Sequence, residues 1–248
     1  MAANFWTSSH YKQLVEQDKI DVVHPIDKER GLTLEEFKLI KIHMTNHIWK
    51  LAQHVKVRQR VIATAVTYFR RVYTRKSLTE YDPRLVTTTC LYLASKAEES
   101  TVQARLLVFY IKKICTDEKY RCEIKDILEM EMKLLEALDY YLVVFHPYRP
   151  LLQGLVNDTY KMDLILIHPP YMIALACIYI ASVLKDKETT AWFEELRVDM
   201  NVVKNIAIEI LDFYDFYRVE SFKGMAESFK GISDEKINAA LHKLTPKP

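Results

Sequence analysis

Residues 83–95 read P-R-L-V-T-T-T-C-L-Y-L-A-S, and residues 170–182 read P-Y-M-I-A-L-A-C-I-Y-I-A-S. The two stretches are identical at five positions and apolar at several others, at an offset of 87 residues. A second match, at an offset of 73, pairs L-L-E-A-L-D-Y-Y from residue 134 with A-I-E-I-L-D-F-Y from residue 207. Two matches in the same order indicate an internal duplication. The chain is therefore predicted to contain the same helical bundle twice, with Cys90 and Cys177 buried at equivalent places.

The spacing of apolar residues predicts that both copies are built from helices. Thr33, with Glu36 three residues later, forms a capping box that opens the first long helix, and Asp82 caps a helix that has Pro83 at its first position. Helices of the first copy are predicted at residues 33–55, 58–73, 82–98, 101–115 and 123–140. Helices of the second copy are predicted at residues 151–167, from 170, from about 190, and up to about 217. Nothing alternates like a strand for long, so the fold class is all-α.

Turn residues divide the chain into four predicted parts. H-P-Y-R-P at 146–150 marks the boundary between the two bundles. Before the first bundle, a short helix at 11–17 is followed by D-V-V-H-P-I-D, which is predicted to be a loop. After the second, a polar stretch with S-F-K-G twice leads to a short helix with Ile237, Leu241 and Leu244 on one face. The predicted parts are an N-terminal segment at 1–32, bundles at 33–145 and 146–220, and a tail at 221–248.

Composition excludes several classes of protein. Only 4 glycines occur in 248 residues, where average usage would give roughly 17, so no P-loop or dinucleotide fingerprint is present and neither an enzyme nor a cofactor is expected. Four cysteines without a C-x-x-C motif favour a reduced, intracellular location. Residues 1–20 hold no signal-peptide stretch, and H-P-P at 168–170 splits the best membrane candidate, so no membrane partner is expected.

Two groups of residues raise alternative functions, namely metal binding and nucleic-acid binding. His43 and His47 lie one turn apart on a predicted helix, but Met44 replaces the glutamate of H-E-x-x-H and no third ligand is evident, so no metal site is predicted. Basic residues cluster between 58 and 76, which favours nucleic-acid binding, whereas the net charge of +2 disfavours it. The basic residues in question are Arg58, Arg60, Arg70, Arg71, Arg75 and Lys76.

Lys96 and Glu131 are charges that the second copy does not share. Their counterparts are Val183 and Lys204, so the fold itself does not require them. Glu131 falls within the apolar stripe of the fifth helix, where a carboxylate is costly unless it is paired. Two hypotheses remain open: the two side chains form a salt bridge with each other that closes two helix ends, or they bind another protein.

The motifs described above, taken together, resemble those of a known protein family. Two five-helix repeats, with A-S-K-A-E-E ending the third helix and a glutamate in the fifth, are similar to the paired cyclin boxes of cyclins. In that family the lysine and glutamate hold the main chain of a protein kinase beside its αC helix. The resemblance implies a kinase-binding site formed by Leu93, Lys96, Ala97, Glu131, Met132, Leu135 and Tyr140.

Several motifs resemble the C-type cyclins, which belong to the kinase module of Mediator. They are N-F-W-T-S-S-H-Y at 4–11, H-P-Y-R-P, V-N-D-T-Y at 156–160 and H-P-P-Y at 168–171. From V-N-D-T-Y, Asn157, Asp158 and Tyr160 are candidate residues of a groove that faces a Mediator subunit. The resemblance implies a nuclear regulatory subunit that binds and activates a cyclin-dependent kinase in RNA polymerase II transcription.

The sequence departs from the family pattern in two places. Ala97 stands where many cyclins carry a large apolar residue, which weakens one anchor for the kinase. Only L-L-Q-G-L separates H-P-Y-R-P from V-N-D-T-Y, where relatives carry about one further helix. The second cyclin box is therefore predicted to be shortened by about one helix, leaving Leu164, Ile178 and Trp192 poorly covered.

Two alternative functions follow from the same fold. A general transcription factor that binds nucleic acid directly also resembles paired cyclin boxes, and the arginine cluster favours that reading. A cell-cycle cyclin is the other alternative, but M-T-N-H-I-W at 44–49 does not match the substrate-docking patch of those cyclins. The transcriptional kinase regulator is the preferred hypothesis.

Overall fold

The computed structural model describes residues 5–16, 19–20, 22–114, 122–146, 153–184 and 189–216. All regular structure in these ranges is helical, which confirms the all-α prediction. The described residues form two compact units, the first reaching Val144 and the second beginning at Phe145. Cys115, most of the H-P-Y-R-P turn and the tail with its predicted terminal helix lie outside the described residues.

The first unit contains the five long helices that the sequence predicts, preceded by three short ones. The short ones are a 3-10 helix at Phe5–Thr7, α1 at Ser9–Lys12 and α2 at Pro25–Glu29. The long ones are α3 (Leu34–Val55), α4 (Gln59–Val72), α5 (Pro83–Ala97), α6 (Ala104–Ile114) and α7 (Ile124–Ala137). The predicted helix at 11–17 overlaps α1 only at residues 11 and 12, because α1 begins and ends earlier. The predicted loop at 21–27 contains the start of α2, because Pro25 is placed at a first helical position.

A buried carboxylate explains why the chain turns into a helix at Pro25. Asp27 in α2 is fully buried and accepts hydrogen bonds from the Ser77 hydroxyl at 2.7 Å and from the backbone N–H groups of Leu78 and Thr79 at 2.9 and 3.0 Å. Three donors compensate the cost of burying the charge. The N-terminal segment is thereby fastened to the loop between α4 and α5.

The helix starts follow the predicted capping residues. Thr33 accepts from the Glu36 N–H at 3.2 Å while Glu36 accepts from the Thr33 N–H at 3.0 Å, and Asp82 accepts from the Arg84 N–H at 2.9 Å. These bonds satisfy N–H groups that a helix leaves without internal partners. They confirm the sequence-based starts of α3 and α5.

The core of the first unit surrounds α4. Every residue from Val61 to Val72 is buried, as the apolar run predicts for a central helix. α5 packs against α3, α4, α6 and α7, and Cys90 on α5 is fully buried, as predicted. The packing fixes the C-terminal end of α5 beside α7, which is where Lys96 and Glu131 lie.

The second unit has shorter helices. They are α8 (Gln153–Thr159), α9 (Leu164–Ile167), α10 (Pro170–Leu184), α11 (Thr190–Glu195) and α12 (Met200–Phe216). Of the helices described in this unit, only α10 and α12 exceed seven residues, whereas each of the five main helices of the first unit has at least eleven. The helix predicted over 151–167 is interrupted between α8 and α9, where residues 160–163 form turns and bends.

Burial in the second unit corrects one expectation. Leu164 is fully buried, so the prediction of a poorly covered Leu164 is wrong, because α9 packs against α10. Trp192 is 43% exposed, which agrees with that prediction, and Ile178 is half-buried. Cys177 is fully buried like Cys90, as the duplication predicts.

Candidate partner-binding site

Lys96 and Glu131 form a two-pronged ion pair at the surface of the first unit. The Lys96 ammonium Nζ lies 2.7 Å from Glu131 Oε1 and 2.9 Å from Oε2. The Lys96 side chain is 41% exposed and that of Glu131 is 11% exposed. The salt bridge considered from the sequence is therefore present, and because its cationic half faces solvent, the pair remains open to a second protein.

Tyr92 and Glu131 together hold the Lys96 ammonium. Tyr92 lies one turn earlier on α5, and its ring centroid is 4.2 Å from Lys96 Nζ, a cation–π geometry. Partial burial alone would lower the pKa of Lys96, but the hydrogen bonds and charges of Glu131 and Tyr92 outweigh it and raise that pKa. The ammonium stays protonated at neutral pH and points toward α7.

Glu98, in the same A-S-K-A-E-E run, connects α5 to a different helix. Its carboxylate accepts from the Thr64 hydroxyl at 2.6 Å and pairs with Arg60 Nε at 2.5 Å, both on α4. The run therefore ties the end of α5 to α4 through Glu98 and to α7 through Lys96. Sequence reasoning missed the role of Glu98, since its partners lie more than thirty residues away.

An exposed apolar stripe runs along α7 beside Glu131. Ile124, Leu128 and Met132 recur every four residues and are 41%, 43% and 58% exposed, and Leu135 continues the stripe as a half-buried residue. The buried face of α7 is carried by Ile127, Met130, Leu134 and Ala137. The sequence treats this helix as one apolar stripe, whereas the structure divides it into a buried half and an exposed half, with Glu131 between them.

The other predicted kinase-binding residues lie around this pair at different depths. Ala97 is exposed at the end of α5, and Tyr140 is 65% exposed just after α7. Leu93 is only 3% exposed and packs beneath the surface. The structure thus brings Lys96, Ala97, Glu131, Met132 and Leu135 to the α5 and α7 surface, with Leu93 supporting it from below.

The equivalent surface of the second unit lacks the pair. Val183 is 60% exposed and Lys204 is also exposed, so these positions offer an apolar side chain and a single cation. A carboxylate is absent from both positions. The second unit therefore serves as an internal control for any role of Lys96 and Glu131.

The predicted Mediator-facing residues form a hydrogen-bonded cluster within the second unit. Asp158 pairs with Lys161 Nζ at 2.8 Å and accepts from the Tyr214 hydroxyl at 2.7 Å. Tyr160 is 1% exposed, and its hydroxyl lies 2.8 Å from His146 Nδ1. Asn157 is half-buried. The partners Lys161, Tyr214 and His146 were not indicated by the sequence.

Four of the six basic residues between 58 and 76 are either paired with a carboxylate or buried. Among the basic cluster, Arg60 pairs with Glu98 and Arg75 with Asp139, while Arg70 and Arg71 are buried. A continuous phosphate-binding surface is not formed by these four arginines.

The rings of His43 and His47 lie 5.9 Å apart, and the described residues contain no group of three or more His, Cys, Asp or Glu placed to hold a metal. Within those residues, no helix has the length and apolar character to cross a membrane.

Comparison with known proteins agrees with this fold. The family model of the cyclin N-terminal domain matches residues 8–143. Over its full length the chain is 72% identical to Cyclin-C1-1 of Oryza sativa subsp. japonica, covering all of that protein, across 263 aligned positions. It is 63% identical to Cyclin-C1-1 of Arabidopsis thaliana, again covering all of both chains. It is 39% identical to Cyclin-C of Rattus norvegicus, covering 92% of that protein. The chain therefore belongs to the cyclin family.

Within that family, the similarity over full length is to cyclin C proteins. The alignment with the rice protein spans 263 positions, whereas this chain has 248 residues, so the chain lacks residues that the rice protein has.

Two solved complexes contain chains of similar fold. A chain of the CAK complex of Chaetomium thermophilum bound to ATP-γ-S superposes with a TM-score of 0.70 at 15% identity, covering 97% of this chain and 88% of that one. A chain of the yeast RNA polymerase II CTD kinase CTDK-1 complex gives 0.66 at 18% identity, covering 92% and 83%. At these identities the likeness concerns the fold.

Proposed function

We propose that this chain is the regulatory subunit of a cyclin-dependent protein kinase and activates that kinase by binding it through α5 and α7. The observation that carries the proposal is the Lys96–Glu131 ion pair beside the exposed apolar stripe of α7. Membership of the cyclin family and the resemblance of A-S-K-A-E-E to the kinase-binding lysine of cyclins support it. The chain contributes no catalytic group of its own in this proposal.

The apolar stripe supplies the binding energy. Ile124, Leu128 and Met132 expose large side chains on one face of α7, and Tyr140 extends this surface past the end of the helix. Grouped apolar side chains at a surface are typical of protein-binding sites, since their burial is favourable. A helix of the kinase packed against this stripe would be held beside the ion pair.

The ion pair determines the orientation in which the kinase binds. Covering the site with a partner lowers the local dielectric, so that charge-assisted hydrogen bonds become stronger than in water. Lys96 can then donate to backbone carbonyls of the kinase while Glu131 accepts from backbone N–H groups. Binding in this orientation would favour the kinase conformation in which its αC helix is positioned for catalysis.

The kinase of this proposal is the transcriptional kinase of Mediator, and the site of action is the nucleus. Similarity to cyclin C proteins supports this choice over a cell-cycle kinase. Asn157 and Asp158, together with Tyr214, are the proposed contact for a further Mediator subunit, and Tyr160, which is buried and lies against His146, supports this surface from below. Met44 and Ile48, within the stretch that would correspond to a docking patch of cell-cycle cyclins, are buried.

Matched charge insertions on two exposed helices test the proposal. Met132→Glu places a charge in the α7 stripe, and Ile208→Glu places one on α12, where Ile208 is similarly exposed at 54%. Each variant is titrated against the purified kinase catalytic subunit of the Mediator kinase module, and kinase activity is measured alongside. We expect Met132→Glu to abolish binding and activation while Ile208→Glu behaves as wild type. Failure of the wild-type chain to bind or activate the kinase would refute the proposed function.

A further inference from the structure

The last helices of the two units carry the same sequence ending but finish differently. L-D-Y-Y at 138–141 corresponds to L-D-F-Y at 211–214. In the first unit α7 ends at Ala137, and Asp139 and Tyr140 adopt left-handed backbone with φ of 51° and 61°. In the second unit α12 continues as helix through this motif to Phe216. One motif thus adopts two conformations in a single chain.

In the second unit the continued helix supplies a hydrogen bond to a half-buried charge. The hydroxyl of Tyr214, inside α12, donates a hydrogen bond to Asp158 Oδ2 at 2.7 Å. Asp158 lies in α8, twelve residues before the proline that opens α10. The aromatic ending of α12 therefore completes the hydrogen bonding of an acidic residue on a neighbouring helix.

Among the described residues of the first unit, the equivalent charge has no such partner. Arg71 lies in α4, twelve residues before Pro83, so it occupies the place that Asp158 has in the second unit. It is only 7% exposed, and within the described part of the chain none of its three guanidinium nitrogens has a hydrogen-bond partner. Burial lowers the pKa of Arg71 to about 10, which leaves it protonated at neutral pH. Tyr141, the counterpart of Tyr214, is 46% exposed instead of reaching this position.

Two contacts, called tethers, lie on either side of Arg71 in the sequence. They hold residues 139–142 in the conformation that leaves Tyr141 exposed, called the outward conformation. The Tyr68 hydroxyl, one turn before Arg71, donates to the Leu142 carbonyl at 2.5 Å. Arg75, one turn after Arg71, pairs with Asp139. Residues 139–142 are therefore held at one end by Tyr68 of α4 and at the other by Arg75, which lies in the turn after α4. Between these two contacts the Arg71 guanidinium has no hydrogen bond within the described residues, and two non-glycine residues keep a disfavoured backbone.

We propose that residues 138–142 form a two-state helix end: α7 can extend by a further turn and bring Tyr141 onto Arg71, as Tyr214 reaches Asp158 in the second unit. In the extended state the guanidinium donates to the Tyr141 phenol oxygen. The left-handed residues become right-handed, and the two tethers are released. The outward state keeps the tethers and leaves Arg71 unpaired.

The two states present different surfaces to a partner. In the outward state Tyr140, Tyr141 and Val143 are 65%, 46% and 60% exposed, next to the α7 stripe. Extension of α7 withdraws Tyr141 from that surface. The inference that the outward state is the one that binds the kinase rests on the proposed function, and it makes the helix end a regulator of that site, since affinity scales with the population of the competent state.

Fluorine NMR of the full chain tests the two states directly. With 3-fluorotyrosine placed only at position 141, the wild type should show two signals or one broadened by exchange. Arg71→Met removes the group that holds the extended state, so a single outward signal is expected. Saturation with the kinase should give the same single signal. One sharp signal in the wild type, unchanged by Arg71→Met, would overturn the inference.

Binding and hydrogen exchange give independent readouts. If the extended state holds about half of the free chain, Arg71→Met should bind the kinase about twofold more tightly, while Lys204→Met, which removes an exposed cation of the second unit, should bind as wild type. If Arg71→Met does not fold, Tyr141→Ala provides a second test. The amides of Leu142 and Val143 gain helical hydrogen bonds only in the extended state, so Tyr141→Ala should accelerate their hydrogen exchange. Unchanged exchange would contradict the two-state helix end. A wild type that shows two signals but binds no kinase would refute the proposed function and leave the two-state helix end standing.

Discussion

Lys96 Nζ contacts both carboxylate oxygens of Glu131, at 2.7 and 2.9 Å, yet the two side chains differ fourfold in exposure. Lys96 can turn to solvent when its partner is removed, because it is 41% exposed and also lies over the Tyr92 ring. The Glu131 carboxylate, at 11% exposure, has far less access to water. Loss of its partner is therefore more costly for Glu131 than for Lys96, because water can replace the partner of Lys96 but has little access to Glu131.

Removal of each partner should affect the stability of the free chain unequally. Lys96→Ala leaves a largely buried carboxylate without its cation and should cost about 1 to 3 kcal/mol of unfolding free energy. Glu131→Ala leaves a lysine that water can solvate and should cost about 0.2 to 1 kcal/mol. Urea denaturation of both variants at pH 7 measures the difference. Equal losses, or a larger loss for Glu131→Ala, would contradict this account.

Binding to the kinase should respond to both substitutions. Lys96→Ala or Glu131→Ala is expected to weaken binding by about 2 to 5 kcal/mol, roughly 30-fold or more, because each leaves groups of the partner unpaired in a covered site. Titration calorimetry against the purified kinase measures the loss. Val183→Lys, at the matching place of the second unit, should leave binding unchanged, since the position opposite it holds Lys204 in place of an acid. Wild-type affinity of Glu131→Ala would refute the role of the Lys96–Glu131 pair in kinase binding.

The sequence predicts those features that depend on neighbours along the chain. The capping box at Thr33, the start of α5 after Asp82 and the burial of Cys90 follow from local patterns, and the structure confirms them. Contacts across the fold leave no such pattern. Asp27 binds a loop some fifty residues away, so the helix it stabilises reads as a loop in the sequence.

Exposure of the site was the part that periodicity could not decide. Apolar spacing on α7 places Ile124 and Leu128 on one stripe with residues that prove to be buried. Periodicity reports that a face is apolar, but it does not distinguish a face covered by the chain itself from one left for a partner. The duplication supplied the missing information for Lys96 and Glu131, because the second copy lacks both charges.

Helix ends in this glycine-poor chain suggest a stabilising substitution. Lys56 follows α3 with φ of 58°, and its N–H and that of Val57 bond back to carbonyls of the last turn, as in a Schellman motif. Glycine adopts this conformation without the penalty of a side chain. Lys56→Gly should therefore raise the unfolding free energy by about 1 kcal/mol. Lys50→Gly, in the exposed interior of the same helix, should lower it by about 1 kcal/mol. Thermal and urea unfolding of the two variants measure both effects, and a loss for Lys56→Gly would refute the prediction.

His47 should make the stability of the first unit fall with acid. Burial, followed by the nearby charges of His43 and Lys50, lowers the pKa of His47 to about 4, whereas an unfolded histidine titrates near 6.5. Between these values the unfolded chain binds a proton that the folded chain does not, so the contribution is complete above pH 6.5 and is lost as the pH falls toward 4. The loss should approach about 3 kcal/mol at pH 4. His47→Gln keeps a polar side chain without this titration, so its unfolding free energy should depend less steeply on pH between 6.5 and 4. Urea unfolding of both proteins across this range measures the difference, and parallel pH profiles would show that His47 is as easily protonated in the folded chain as in the unfolded one.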